Sequence, residues 1–418
     1  MTRRTALMGC AALLAAGCRA EAREAPPKRA VSAWPVGIAG LDQLPAVTPA
    51  AVYVATSSGE VYALHPRTGA ARWRTRVPDE PGAAAIAWQS TPLPVGDLLV
   101  VGNGRGRPAF DSDNPSQVVA LRASDGRVAW TADVDDYAHE LLAADGLILC
   151  RTNSTLYAVD PASGRQRWRW PSGDLRAMSL AGRTVLVTER LPQGEQVVAV
   201  EARTGRRSWT ARFPTVFVDW VYASGDLLVL AGYPVPGERA YALAVLAAGT
   251  GKKVWSRAPD QVSGFAAVSG GVLYTADRTR LRALSVAGGS EAWSLPLPEP
   301  AVNPMIAVDD DTVFCAMPVR RANGLYPLRA LRKGDGRIRW TCDLRGAATV
   351  LTRVVPGIVH VQMSEGGRDS VVALDARGGE ELWSARIDDA GQLIFGNGLL
   401  YVFGQHLIAL DPATGTRL

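Results

Sequence analysis

The sequence is short of lysine, histidine, cysteine and long apolar runs, and each shortage removes a class of explanation. Only Lys28, Lys252, Lys253 and Lys333 are lysines, so the net charge of +5 over 418 residues is carried by arginine. Those arginines are scattered singly between strand-like segments, which leaves no clustered footprint for a nucleic-acid partner. The histidines, His65, His139, His360 and His406, stand far apart and no Cys-x-x-Cys occurs, so no metal site is expected. Five cysteines at irregular spacing do not form a disulfide framework. Cys150 and Cys315 fall in buried-looking strands and read as small hydrophobes. No segment approaches the roughly 18 apolar residues that a membrane-spanning helix needs. Charge is not so dominant as to forbid a core, because 47% of residues are hydrophobic and 20% charged.

What is present is turn chemistry and tryptophan. There are 42 Gly and 27 Pro without a collagen period, and 12 Trp against 10 Tyr and 7 Phe. The segment Val61-Tyr-Ala-Leu-His-Pro-Arg-Thr-Gly69-Ala-Ala-Arg-Trp73 recurs as Leu156-Tyr-Ala-Val-Asp-Pro-Ala-Ser-Gly164-Arg-Gln-Arg-Trp168. Further copies place Trp130, Trp209, Trp255, Trp293, Trp340 and Trp383 four residues after Gly126, Gly205, Gly251, Gly289, Gly336 and Gly379. A ninth copy ends at Gly415, before a tryptophan could follow. Six residues before the glycine stands Ala, with Val245 the one exception, and five before it stands Leu or Val.

Each unit reads as four strands: a variable apolar one, a Val/Leu run such as Leu147 to Cys150, a third such as Leu156 to Val159, and the Trp strand. Asp160-Pro161-x-x-Gly164 between the last two is a turn, since Asp accepts from amides ahead, Pro presets φ and Gly supplies positive φ. Four-stranded units of this size, each burying its faces on the next, make an all-β closed propeller of eight to nine blades, nine by repeat count. The truncated ninth copy and Ala30-Val-Ser-Ala-Trp34-Pro imply that Trp34 closes the ring with an N-terminal strand, removing the open edges.

The N-terminus carries Arg3-Arg4, an apolar run to Ala16, and Ala15-Ala16-Gly17-Cys18. It resembles a bacterial lipoprotein signal, with Ala15 where a larger aliphatic is usual, and implies lipidation at Cys18. Thr2 to Leu7 also resembles a twin-arginine export signal. The expected layout is signal peptide 1–17, polar tether 18–33 and propeller 34–418, held at the cell envelope through the lipid alone.

The repeated residues resemble the pyrroloquinoline-quinone-binding-like β-propeller repeat family, over about residues 34 to 418. That family includes quinone-dependent dehydrogenases, the lipoprotein of the outer-membrane barrel-assembly machine, and sensor propellers. The dehydrogenases carry adjacent cysteines, calcium ligands and a much longer chain. No two cysteines are adjacent here, and Asp111-Ser-Asp113-Asn114 lacks the Gly and Glu of a calcium loop. The expectation is a monomeric, non-catalytic binding or scaffold module without cofactor. A quinone-dependent oxidoreductase and a barrel-assembly lipoprotein are the alternatives.

Loop length suggests where a partner would bind. Insertions between second and third strands share one end of the ring with the connections after the Trp strand, among which 79–91 and 213–222 are read as long and aromatic. Trp88, Arg105, Arg107, Trp220, Arg320, Arg321 and Arg368, with Phe110, Phe217, Tyr233 and Tyr326, are placed there. Arg beside aromatics suits an envelope protein or an anionic or glycan ligand.

Overall fold

The repeated turn is the local device from which the ring is built. All nine turn glycines, from Gly69 to Gly415, take φ between +66° and +81°, where an L side chain is strained. The Asp of the turn works as its chemistry demands. Asp160 Oδ1 accepts from the amides of Ala162 at 2.9 Å and Ser163 at 3.2 Å, and Asp411 does the same for Ala413 and Thr414. The hairpin so formed joins the third strand of each unit to its Trp strand.

The computed structural model describes residues 43–56, 58–77, 84–88, 90–106, 116–214, 216–234, 242–257, 262–277, 279–297, 304–317, 325–387, 390–404 and 406–418. These hold nine antiparallel sheets and no helix. Seven sheets are four-stranded, each paired in simple chain order. In blade 2 the innermost strand is split into Ala84–Trp88 and Leu93–Val95, both paired with Leu98–Gly106. Blade 9 has three strands ending at Leu407–Leu410, with one bridge from Leu410 to Arg417 beside them. Trp34, expected to close the ring, lies outside the described residues.

Within a blade the residues of the signature share one row. The Ala six before the turn glycine pairs directly with the Trp, as in Ala63–Trp73 and Ala373–Trp383. In blades 1, 6, 7 and 8 it pairs on its other side with a second-strand ring, Tyr53, Tyr274, Phe314 or His360, where blades 2 to 5 have an aliphatic residue. Those rings lie 5.6–6.0 Å from the Trp of their own blade. A methyl group at the middle of the row lets two rings meet across it, which a larger side chain would prevent.

Between blades the same Trp acts as a latch. Its indole covers the turn glycine of the following blade so closely that a Cβ on Gly164 would fall less than 3.0 Å from Trp130, and the other seven joints repeat this. The indole N–H donates to the carbonyl three residues before that glycine: Trp73 to Ala123, Trp130 to Pro161, Trp168 to Ala202, and so on to Trp383 and Pro412, at 2.7–3.1 Å. A buried donor is thus satisfied where its ring fills the gap between sheets.

Blade 9 meets blade 1 through one shared core of Val52, Val54, Leu64, Leu399, Tyr401 and Ala409, so the ring closes. At this joint the Tyr401 hydroxyl donates to the Pro66 carbonyl at 3.1 Å. Pro66 stands three residues before Gly69, the place an indole serves elsewhere. Cys150, Cys315 and Cys342 are buried and form no disulfide, and burial pushes the Cys150 and Cys315 thiols up to about 12.

Candidate functional site on one end of the ring

Chain direction alternates across a blade, so the starts of first and third strands and the ends of second strands lie at one end. Blades 4 and 5 place a stacked set there. Arg190 ends Thr184–Arg190, the second strand of blade 4. Phe217 is near the start of Val216–Ser224, the innermost strand of blade 5, and Tyr233 near the end of Leu227–Pro234 beside it. Phe217 and Tyr233 are register partners with ring centroids 5.5 Å apart. The Arg190 guanidinium carbon lies 4.8 Å from the Phe217 centroid, and Tyr233 is 47% exposed. A guanidinium held over a ring keeps its donors for a ligand, and the exposed phenol offers a second contact beside it.

A buried carboxylate fixes this set. Glu195 begins the third strand of blade 4 at 3% exposure, and its Oε2 accepts the Val218 amide of blade 5 at 2.9 Å. Burial raises its pKa, with the Val218 hydrogen bond and Arg190 acting against that rise. Next to it Gln196 donates to Glu189 at 2.5 Å, while the Gln196 Oε1 is buried without a partner. The arrangement holds and orients. The described residues contain no cluster of three or more His, Cys, Asp or Glu able to hold a metal ion.

The structure distributes the residues expected at this end unevenly. Arg368 starts Arg368–Asp375 in blade 8, exposed beside the Gly366-Gly367 turn at the same end. Tyr326 begins Tyr326–Arg332 in blade 7, also at this end. Within the two segments read as connections, 84–88 and 216–222 are strand instead. Trp88 ends Ala84–Trp88, opposite Asn103, and Arg105 lies in Leu98–Gly106. Trp220 sits midway along Val216–Ser224, half-buried against the core between blades 5 and 6 and 4.9 Å from Tyr222. Alternating inward and outward residues drive this change: Val216 and Val218 are buried while Phe217 is not. Arg107, Phe110, Arg320 and Arg321 lie outside the described residues. Arg190 escaped sequence reasoning, because nothing along the chain marks it as facing Phe217.

At the opposite end a cavity of about 470 Å³ opens among the inner strands of blades 5 to 8, lined by Tyr222, Ser224, Ser269, Val308 and Leu351.

Comparison with known proteins agrees with the architecture. The family model described as outer membrane protein assembly factor BamB matches residues 32–169, 109–216, 152–263 and 238–392. The outer membrane protein assembly factor BamB of Moranella endobia (strain PCIT) is 26% identical over 181 residues, covering 42% of this chain and 45% of that protein. The chain therefore aligns with less than half the length of this curated relative. The crystal structure of BamB from Moraxella catarrhalis matches with a TM-score of 0.48 at 16% identity, over 87% of this chain and 94% of that one. A eukaryotic initiation factor structure matches with a TM-score of 0.60 at 10% identity, over 82% and 87% of the two chains, a likeness of fold alone. With overlapping family matches running from residue 32 to 392 and a closed ring of the Gly-and-Trp repeat, the chain belongs to the BamB family of pyrroloquinoline-quinone-like β-propellers.

Proposed function

We propose that the protein is an exported, lipid-anchored propeller that acts as a non-catalytic scaffold at the cell envelope, capturing a protein partner on the end of the ring that carries Arg190, Phe217 and Tyr233. The observation that carries this reading is the stack itself. An arginine and an exposed tyrosine flank a phenylalanine that a buried Glu195 contact helps to position. Arg and Tyr are the residue types on which interface energy concentrates, and a rigid strand scaffold limits the entropy lost on binding. Family membership supports an assembly role, since the matching relative is named an outer membrane protein assembly factor. Arg368 starts its strand at the same end, and we assign Arg105, Arg107, Arg320 and Arg321 to the surface around it.

A photo-crosslinking residue at Tyr233 or Arg368 is expected to capture one discrete envelope protein in cells. Arg190→Ala should reduce that adduct about tenfold, the loss of a contact worth about 1.4 kcal/mol. Replacing Arg105, Arg107, Arg320 and Arg321 together with Ala should weaken capture further. Absence of any adduct from both positions would overturn the assignment of this end.

A further inference from the structure

Three adjacent blades carry an excess of positive charge on their outer strands. In blades 3, 4 and 5 the turn and outer-strand segments 160–171, 201–213 and 247–257 hold ten Arg and Lys against two carboxylates, Asp160 and Glu201. Arg167 engages Asp160, and Arg206 lies 3.7 Å from Glu201. With Arg257 3.9 Å from Glu291, that leaves Arg165, Arg169, Arg203, Arg207, Arg212, Lys252 and Lys253 exposed and without a carboxylate partner among the described residues. The three blades are neighbours through continuous cores, so these cations form one arc of the rim. Blade 1 shares the excess, with Arg67, Arg72, Arg74 and Arg76 and no carboxylate in segment 65–76, but blade 2, with two Arg against two Asp in 122–134, separates it from the arc. On the other side blade 6 carries only Glu291 in segment 285–296; blade 7 carries four cations against Asp335 and Asp343, and blade 8 carries Asp375, Glu380 and Glu381 against Arg377 and Arg386.

Outer strands are open edges, and charge on them discourages pairing with another chain. Either sign serves that purpose, so edge protection explains the charge but not its local excess of one sign. We infer that the arc of blades 3 to 5 docks on an anionic bilayer, so that the ring stands on its rim. The inference rests on the envelope location proposed above. The form of the arc favours a lipid surface over a protein. Its cations sit on long, flexible side chains, and Val254 is the one large apolar residue exposed within these segments. Such a surface reads charge density, which is how basic patches recognise acidic headgroups. Standing on the rim leaves both ends of the ring clear, including Arg190, Phe217 and Tyr233.

The test uses the full mature chain with Cys18→Ser, purified without lipid and sedimented with vesicles. Phosphatidylcholine vesicles containing phosphatidylglycerol should carry the protein down, and vesicles of phosphatidylcholine alone should not. Raising the salt should release it, as screening predicts. Replacing Arg165, Arg169, Lys252 and Lys253 together with Glu should weaken binding at least about tenfold, whereas Arg377→Glu should leave it unchanged. Both variants change exposed residues, and an unaltered melting temperature verifies the fold. No binding to either vesicle, binding unaffected by the reversal, or capture of soluble polyglutamate but not vesicles would overturn the inference. Anchoring through Cys18 is read separately, from membranes washed at high salt, so each idea can fail alone.

Discussion

Gly164 and Gly96 are both left-handed glycines, at φ +68° and +58°, and they differ in what surrounds them. A Cβ at Gly96 meets nothing within 4 Å, whereas at Gly164 it runs into Trp130. Gly96→Ala should therefore cost only the backbone strain, about 1–2 kcal/mol. Gly164→Ala adds overpacking and should cost about 2–4 kcal/mol, measured by urea unfolding. The difference isolates the indole contact. His360 permits a second residue-level test. It is fully buried, its Nε2 donates to the Pro412 carbonyl at 2.9 Å, and its Nδ1 has no partner. Burial lowers its pKa, so the unfolded chain takes up the proton first. Its contribution is complete above the unfolded value, about 6.5, and is lost as the pH falls through that value. His139 is lowered in the same way, by burial and then by Arg151, and acts in the same direction. His360→Phe keeps a ring against Trp383, as Phe314 does against Trp340, and Trp383 still serves Pro412. The variant should lose less stability than the parent between pH 7.5 and 5.5, roughly one histidine's share of the slope. An unchanged slope would count against this account.

The blade is the scale at which the sequence was most legible. A turn glycine with Trp four residues later, and Ala six before, is a local pattern, and the structure uses every part of it. The functional end was less legible for a physical reason. Arg190, Phe217 and Tyr233 come from three strands of two blades, and only inter-blade packing brings them together. Trp220 looked like a loop residue because the apolar run after the Pro214 turn reads as one long connection rather than as an inner strand. Whether a residue there faces the channel, a neighbour or solvent depends on pleat, which a bulge between Val218 and Trp220 resets. Each latch should be strong individually. Trp209→Ala removes an indole packed between blades 4 and 5 and its bond to Ala248, and should cost about 3–5 kcal/mol by thermal or urea unfolding. Tyr401→Phe should cost about 1–3 kcal/mol by leaving the Pro66 carbonyl without that donor. Amide exchange should then accelerate first in Leu399–Gly404 and Val52–Ala55, the strands flanking this joint.

At the scale of the whole molecule, the proposed export and anchoring would be separable from folding. Cys18→Ser should release the protein into the soluble fraction after a high-salt wash while leaving its unfolding curve unchanged, since Cys18 precedes every described strand. Retention in washed membranes would refute the anchor. The latches all run the same way, from each blade to the next, so the ring is a head-to-tail chain of one unit type that closes on itself. No blade encodes the number nine. The count follows from the rotation each latch imposes, about 40° when nine share a full turn. Duplicating or deleting a whole unit would therefore change the circumference without rewriting an interface. The fastening between Tyr401 and Pro66 is the exception, and it would mark the same seam in a ring of any size.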